Sequence, residues 1–78
     1  MNLEIITPDD TIFTGEVSLV QFPGYDGSFE VLNNHAPLIS VLKEGKIKVK
    51  DISNKEQFFE IKGGVVEVLK NKILVLAE

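Results

Sequence analysis

The chain contains no cysteine, no arginine, no tryptophan and one histidine, His35, in 78 residues. Without cysteine there is no disulfide framework and no thiolate metal centre, and one histidine cannot complete a metal shell. A scaffold this short hides only ~60–65% of its unfolded surface on folding, and such scaffolds commonly rely on a disulfide, a metal or a partner. With the first two excluded, a protein partner is the remaining device. The missing secreted-type disulfides favour a cytosolic setting. Twelve acidic residues against eight lysines give a net charge of −4, which opposes phosphate tracking, and base-reading forks are arginine geometry, so nucleic acid is disfavoured as a partner. An arginine finger for phosphoryl transfer is excluded with it. The longest apolar runs, Val65-Val66 and Ile73 to Ala77, fall far short of the ~20 residues of a spanning helix, which predicts a soluble chain. Met1-Asn2-Leu3-Glu4 has neither the basic start of a secretory signal nor the arginine richness of a transit peptide, so no cleaved leader is expected.

Catalytic constellations are equally scarce. No serine sits in a Gly-x-Ser-x-Gly turn, and Gly63-Gly64 lacks the lysine and hydroxyl residue of a phosphate-binding loop. Asp9-Asp10 are adjacent and diverge if extended, and no aspartate run has calcium-loop spacing. Asp26 and Glu30 are the one pair of carboxylates close enough to consider for acid/base work. Beside a turn they read as solvated caps. His35, next to Ala36-Pro37, reads as a partly buried imidazole bonded to nearby backbone and holding a bend, with a pH switch as the alternative. No catalytic residue, metal ligand or cofactor is expected.

What the chain does have is strand and turn punctuation. Short runs rich in valine, isoleucine, threonine and phenylalanine alternate with glycine, proline, asparagine and aspartate. They predict strands over residues 3–7, 16–22, 28–32, 38–42, 46–50, 57–61, 65–69 and 73–76, with no helix, because no stretch holds a three-to-four-residue apolar period with caps. Lys46-Ile47-Lys48-Val49-Lys50 alternates strictly, which sends Ile47 and Val49 inward. In the second strand alternation puts Val17 and Leu19 on one face and Ser18, Val20 and Phe22 on the other. Pro23 to Gly27 predicts a hairpin-like reversal, Lys70-Asn71 a tight turn, and Gly63-Gly64 a bulge or close backbone approach. One all-β domain over residues 1–78 results, a small flattened sandwich of about eight to ten short strands. Apolar residues on both sides of the second and last strands exceed what a one-sided strand needs, so some are expected to meet a partner.

Gly27-x-Phe29-x-Val31-Leu32-x-x-His35-Ala36-Pro37-Leu38, then Leu42-x-x-Gly45-x-Ile47, then Gly63-Gly64-x-x-Glu67-Val68 and Val75-Leu76-Ala77-Glu78, resembles the epsilon subunits of F-type ATP synthases over nearly the whole chain. Thr7-Pro8 and Phe13-Thr14-Gly15-Glu16-Val17 are similar to the family's opening. The resemblance implies a flattened β-sandwich that acts without catalysis in the central stalk, binding the gamma subunit and the polar loops of the membrane c-ring and coupling proton translocation to ATP synthesis. Its place would be the cytoplasmic face of a bacterial inner membrane, peripheral through the complex and not by insertion; a plastid-encoded chain is the other setting. Carried over by position, Asp26, Gly27, Ser28, Glu30, Asn33, Asn34, His35, Ala36 and Pro37 would lie at or near the gamma and c-ring contacts. Ser28 stands where relatives are often acidic. Asn33-Asn34 replace a frequent Pro-Gly, and asparagine tolerates the left-handed backbone that glycine would supply. Relatives usually continue into an inhibitory helical hairpin that binds ATP in some members; nothing follows Glu78, and if that is the natural end, hairpin-dependent inhibition and an ATP site are not expected. The rival reading is a lipoyl- or biotinyl-type carrier, also a flattened sandwich, with Lys70 as the modified lysine. A lysine in a surface turn is more simply a solvated charge. A generic ligand-binding sandwich would require an aromatic platform that six aromatic residues without tryptophan do not supply.

Overall fold

The computed structural model describes residues 1–78 as eight strands: β1 (Asn2–Ile6), β2 (Thr11–Gly24), β3 (Gly27–Leu32), β4 (Leu38–Leu42), β5 (Gly45–Asp51), β6 (Glu56–Ile61), β7 (Gly64–Leu69) and β8 (Lys72–Ala77). The long β2 serves two layers. Its first half pairs antiparallel with β1, and β1 continues through a parallel pair with β8 into β7 and β4. Its second half pairs with β3 on one side and β5 on the other, and β5 carries β6. A single bridge between Gly24 and Leu42 joins β4 back to β2, so the sheet nearly closes on itself. The body measures 27 × 23 × 18 Å, flattened as expected.

The core follows from alternation. Leu3, Ile5, Val66, Val68, Ile73 and Val75 point inward from the first layer, and Val20, Phe22, Val31, Ile47 and Val49 from the second, all nearly or fully buried. Phe13 of β2 and Phe59 of β6 close one end with ring centroids 5.5 Å apart. The expected inward placement of Ile47 and Val49 holds, with Lys46 exposed and Lys48 and Lys50 half-buried.

One face assignment needs correction. Val17 is buried together with Val20 and Phe22 instead of standing opposite them. The β2–β5 register slips between Val17, opposite Asp51, and Leu19, opposite Lys50. Ser18 is the extra residue of a β-bulge, which resets the alternation. Its hydroxyl donates to the Lys50 and Asp51 carbonyls at 3.2 and 3.1 Å. The strand also begins earlier than alternation suggested, at Thr11, because residues 11–16 have β1 to pair with.

The turns follow their chemistry. Tyr25-Asp26 join β2 to β3 with Gly27 at φ 124°, and Lys70-Asn71 join β7 to β8 with both residues left-handed, φ 51° and 63°. Consecutive left-handed residues match the twist of a two-residue hairpin. Asp51 Oδ1 accepts from the amides of Ser53 and Lys55 at 2.8 and 3.0 Å and shapes the β5–β6 loop. At Gly64 an added Cβ would stand 2.4 Å from the Leu76 carbonyl oxygen. The glycine pair therefore marks a close backbone approach, as its tight apolar flanks suggested. No helix of the molecule is long and apolar enough to cross a membrane.

Candidate functional site

The nine residues expected at partner contacts are all exposed, and β3 holds them apart. Asp26, Gly27 and Ser28 sit at its start, Asn33 to Pro37 beyond its end. At ~3.3 Å per residue the two groups are roughly 20 Å apart. Glu30 lies between them, opposite Gln21, on the outer face of the second layer.

The bend after β3 is tied down by its asparagines. The His35 amide donates to the Leu32 carbonyl at 3.2 Å, closing a turn whose third residue, Asn34, has φ 63°. Asparagine thus supplies the left-handed residue, as expected. The Asn34 amide donates to Asn71 Oδ1 at 2.9 Å, and Asn33 Oδ1 accepts from the Met1 ammonium at 2.8 Å. These contacts assign Asn33 and Asn34 a positioning role. His35 bonds backbone as anticipated, Nδ1 donating to the Ala36 carbonyl at 2.7 Å, but its ring is exposed and not partly buried. The bend lies outside the strands, between β3 and β4, where the imidazole stays open to solvent.

Strand register reveals a feature that residue-by-residue reading missed. On the outer face of the first layer Val41 of β4 stands opposite Val65 of β7, Val65 opposite Leu76 of β8, and Leu76 opposite Ile6 of β1. Four apolar side chains make a continuous row across four strands. Ile39, 71% exposed, extends it along β4, and Leu74 extends it along β8. The second layer's outer face is different: Lys46, Lys48 and Lys50 on β5 meet Glu56, Phe58 and Glu60 on β6. Lys48 and Lys50 lie 3.8 and 4.0 Å from the Glu56 carboxylate. A continuous apolar row thus crosses the first layer's outer face, while lysines and glutamates dominate the second's.

Both groups of expected contact residues border the apolar face along β4. A shallow groove runs from Tyr25, Asp26 and Gly27 to Ile39 and Val41. Another joins Pro37 to Ile39, Glu67 and Leu69. The β2–β3 turn and the His35 bend are therefore two corners of one exposed surface. No group of three or more histidine, cysteine, aspartate or glutamate side chains could hold a metal ion. Lys70 does occupy a hairpin tip and is exposed, as a carrier would require.

Comparison with known proteins decides between these readings. The family described as the ATP synthase delta/epsilon chain β-sandwich domain matches residues 1–78. The ATP synthase epsilon chain of Chlorobium limicola is 43% identical over 76 residues, covering 97% of this chain and 86% of that one. Among solved structures, a chain of the Euglena gracilis mitochondrial ATP synthase OSCP/F1/c-ring assembly superposes with a TM-score of 0.90 at 22% identity, over 96% of this chain and 48% of that one. A chain of the Tetrahymena thermophila mitochondrial ATP synthase central stalk/c-ring assembly gives 0.82 at 20% identity, over 97% and 61%. These two likenesses are of fold, and this chain spans about half to three fifths of either neighbour.

Proposed function

Because the chain belongs to the delta/epsilon family of ATP synthase subunits, matched from residue 1 to residue 78, we propose that it is a non-catalytic central-stalk subunit. In this reading it binds the gamma subunit through the apolar face of the first layer and meets the polar loops of the c-ring through the Asp26-Gly27-Ser28 turn, coupling proton translocation to ATP synthesis. It works at the cytoplasmic face of the bacterial inner membrane, held there by the complex.

The observation that carries the reading is the Val41–Val65–Leu76–Ile6 row. An apolar row that crosses four strands is an unfinished interior, and a protein surface completes it. Its position between the turn and the bend lets one face and its corners serve two neighbours. In this reading the subunit's work is mechanical. Rigid strands with buried alternate residues can pass force between two contacts without dissipating it in loop motion.

Co-expression of the tagged chain with the gamma subunit of its own organism tests the proposal. A stoichiometric complex is expected on size exclusion. Val65→Asp and Leu76→Asp, both on the outer face, should keep the far-UV spectrum and lose the complex. A folded wild-type chain that forms no complex would overturn the reading.

A further inference from the structure

One row of the apolar face is charged. Register sets Glu67 of β7 beside Leu74 of β8, and Leu74 beside Glu4 of β1. Two carboxylates thus flank a leucine, roughly 10 Å apart across two strand spacings. Both are exposed. Neither makes an ion pair, since the chain's pairs involve only Glu16 and Glu56. Lys72 stands one row away, beside Leu69 and Asn2, and forms no ion pair with either. A shallow depression over Leu74 is rimmed by Glu4, Glu67, Leu69 and Lys72.

Any partner that covers the neighbouring Val65–Leu76–Ile6 row must cover this one too. A carboxylate taken out of water without a counter-charge is strongly unfavourable, and two of them enforce a choice of partner. A second copy of this chain would bring like charges together, which disfavours it. We infer that the occupant is the gamma subunit and that it meets Glu4 and Glu67 with two cationic side chains, lysine or arginine, roughly 10 Å apart on either side of an apolar group seated over Leu74. The inference rests on the proposed stalk function and adds its recognition chemistry. Apolar rows alone would let a partner slide along the strands. The charged row fixes its register, and the net charge of −4 draws a basic surface toward the chain.

The test measures affinity and association rate between gamma and the chain carrying Glu4→Gln, Glu67→Gln or both, at low and at moderate salt. Glutamine keeps the shape and removes the charge. Each single change should weaken binding about tenfold or more, and the double variant should lose most of the salt dependence of the association rate. If the double variant binds like wild type while Val65→Asp does not bind, the cationic partners are disproved and the stalk reading stands. If Val65→Asp also binds like wild type, the apolar face is not the gamma contact and both fall. Self-association of the chain alone in sedimentation, abolished by Val65→Asp, would instead assign the face to a second copy and overturn the inference.

Discussion

Gly64→Ala and Gly63→Ala should separate two costs that adjacent glycines share unequally. Both have φ in the region that side-chain-bearing residues rarely adopt, 150° for Gly63 and 153° for Gly64. An alanine at either would carry roughly 1–3 kcal/mol of backbone strain. Their surroundings differ. A Cβ at Gly63 would meet the Leu42 carbonyl oxygen at 3.4 Å, an ordinary contact, whereas a Cβ at Gly64 would meet the Leu76 carbonyl oxygen at 2.4 Å and the Ala77 Cα at 3.1 Å. Those atoms belong to β8, paired with β7 at Gly64–Ala77 and Val65–Leu76. Relief requires a shift of about 1 Å in a packed strand, an overpacking cost of ~1–3 kcal/mol. The sums are about 2–6 kcal/mol for Gly64→Ala and about 1–3 kcal/mol for Gly63→Ala. A domain of this length has roughly 4–12 kcal/mol in all. Thermal unfolding followed by circular dichroism should place the Gly64 variant well below the Gly63 variant, with the midpoint temperature lower by about 4–8 °C for each kcal/mol. Equal losses would show that β8 yields freely, and the close-approach reasoning would fail.

Two further outcomes are expected. Ile47→Asp and Val68→Asp bury a carboxylate where the native side chains are 0% and 2% exposed, a cost of several kcal/mol comparable with the whole stability; loss of the β signature and rapid proteolysis should follow, and a normally folded, gamma-binding variant would mean the inward faces are misassigned. Asn71→Ala removes the acceptor of the Asn34 amide and places alanine at φ 63°. About 1–3 kcal/mol should be lost, with Asn71→Gly recovering the turn's share and not the hydrogen bond's.

Where a residue's environment is local, the sequence was readable. The lysine alternation around Ile47 and Val49 needs only a period of two, and Lys70-Asn71 needs only two residues that tolerate a left-handed backbone. The fate of Val17 was not local. It turns on Ser18 forming a bulge against Lys50 and Asp51, residues more than thirty positions away, and alternation has no term for an inserted residue. The candidate site divides in the same way. Asp26 to Ser28 and the His35 bend stand out as turn chemistry, but the apolar row exists only once β4, β7, β8 and β1 are in register. Its last step, Leu76 beside Ile6, depends on a parallel pair between the first and last strands. Ile6, Val65 and Leu76 each look like the surplus apolar residue of a short run until that pairing lines them up. The surplus predicted for the last strand is that row, whereas the surplus predicted for the second strand was partly the bulge.

The apolar row also bears on stability. A small domain with few kcal/mol to spare gains nothing from leaving Val41, Val65 and Leu76 about half in water, and at roughly 25 cal/mol per Å² a partner that covers them recovers what folding alone leaves unburied. Binding that favours the folded chain stabilises it by mass action, about 2.7 kcal/mol when the partner stands at a hundred times its dissociation constant. For a chain of this size that corresponds to a midpoint on the order of 10–20 °C higher. Calorimetry of the chain with increasing gamma subunit should show this rise, dependent on gamma concentration and absent in Leu76→Asp. A rise that persists in Leu76→Asp would mean gamma binds elsewhere, and the row would then be left without the partner that its register calls for.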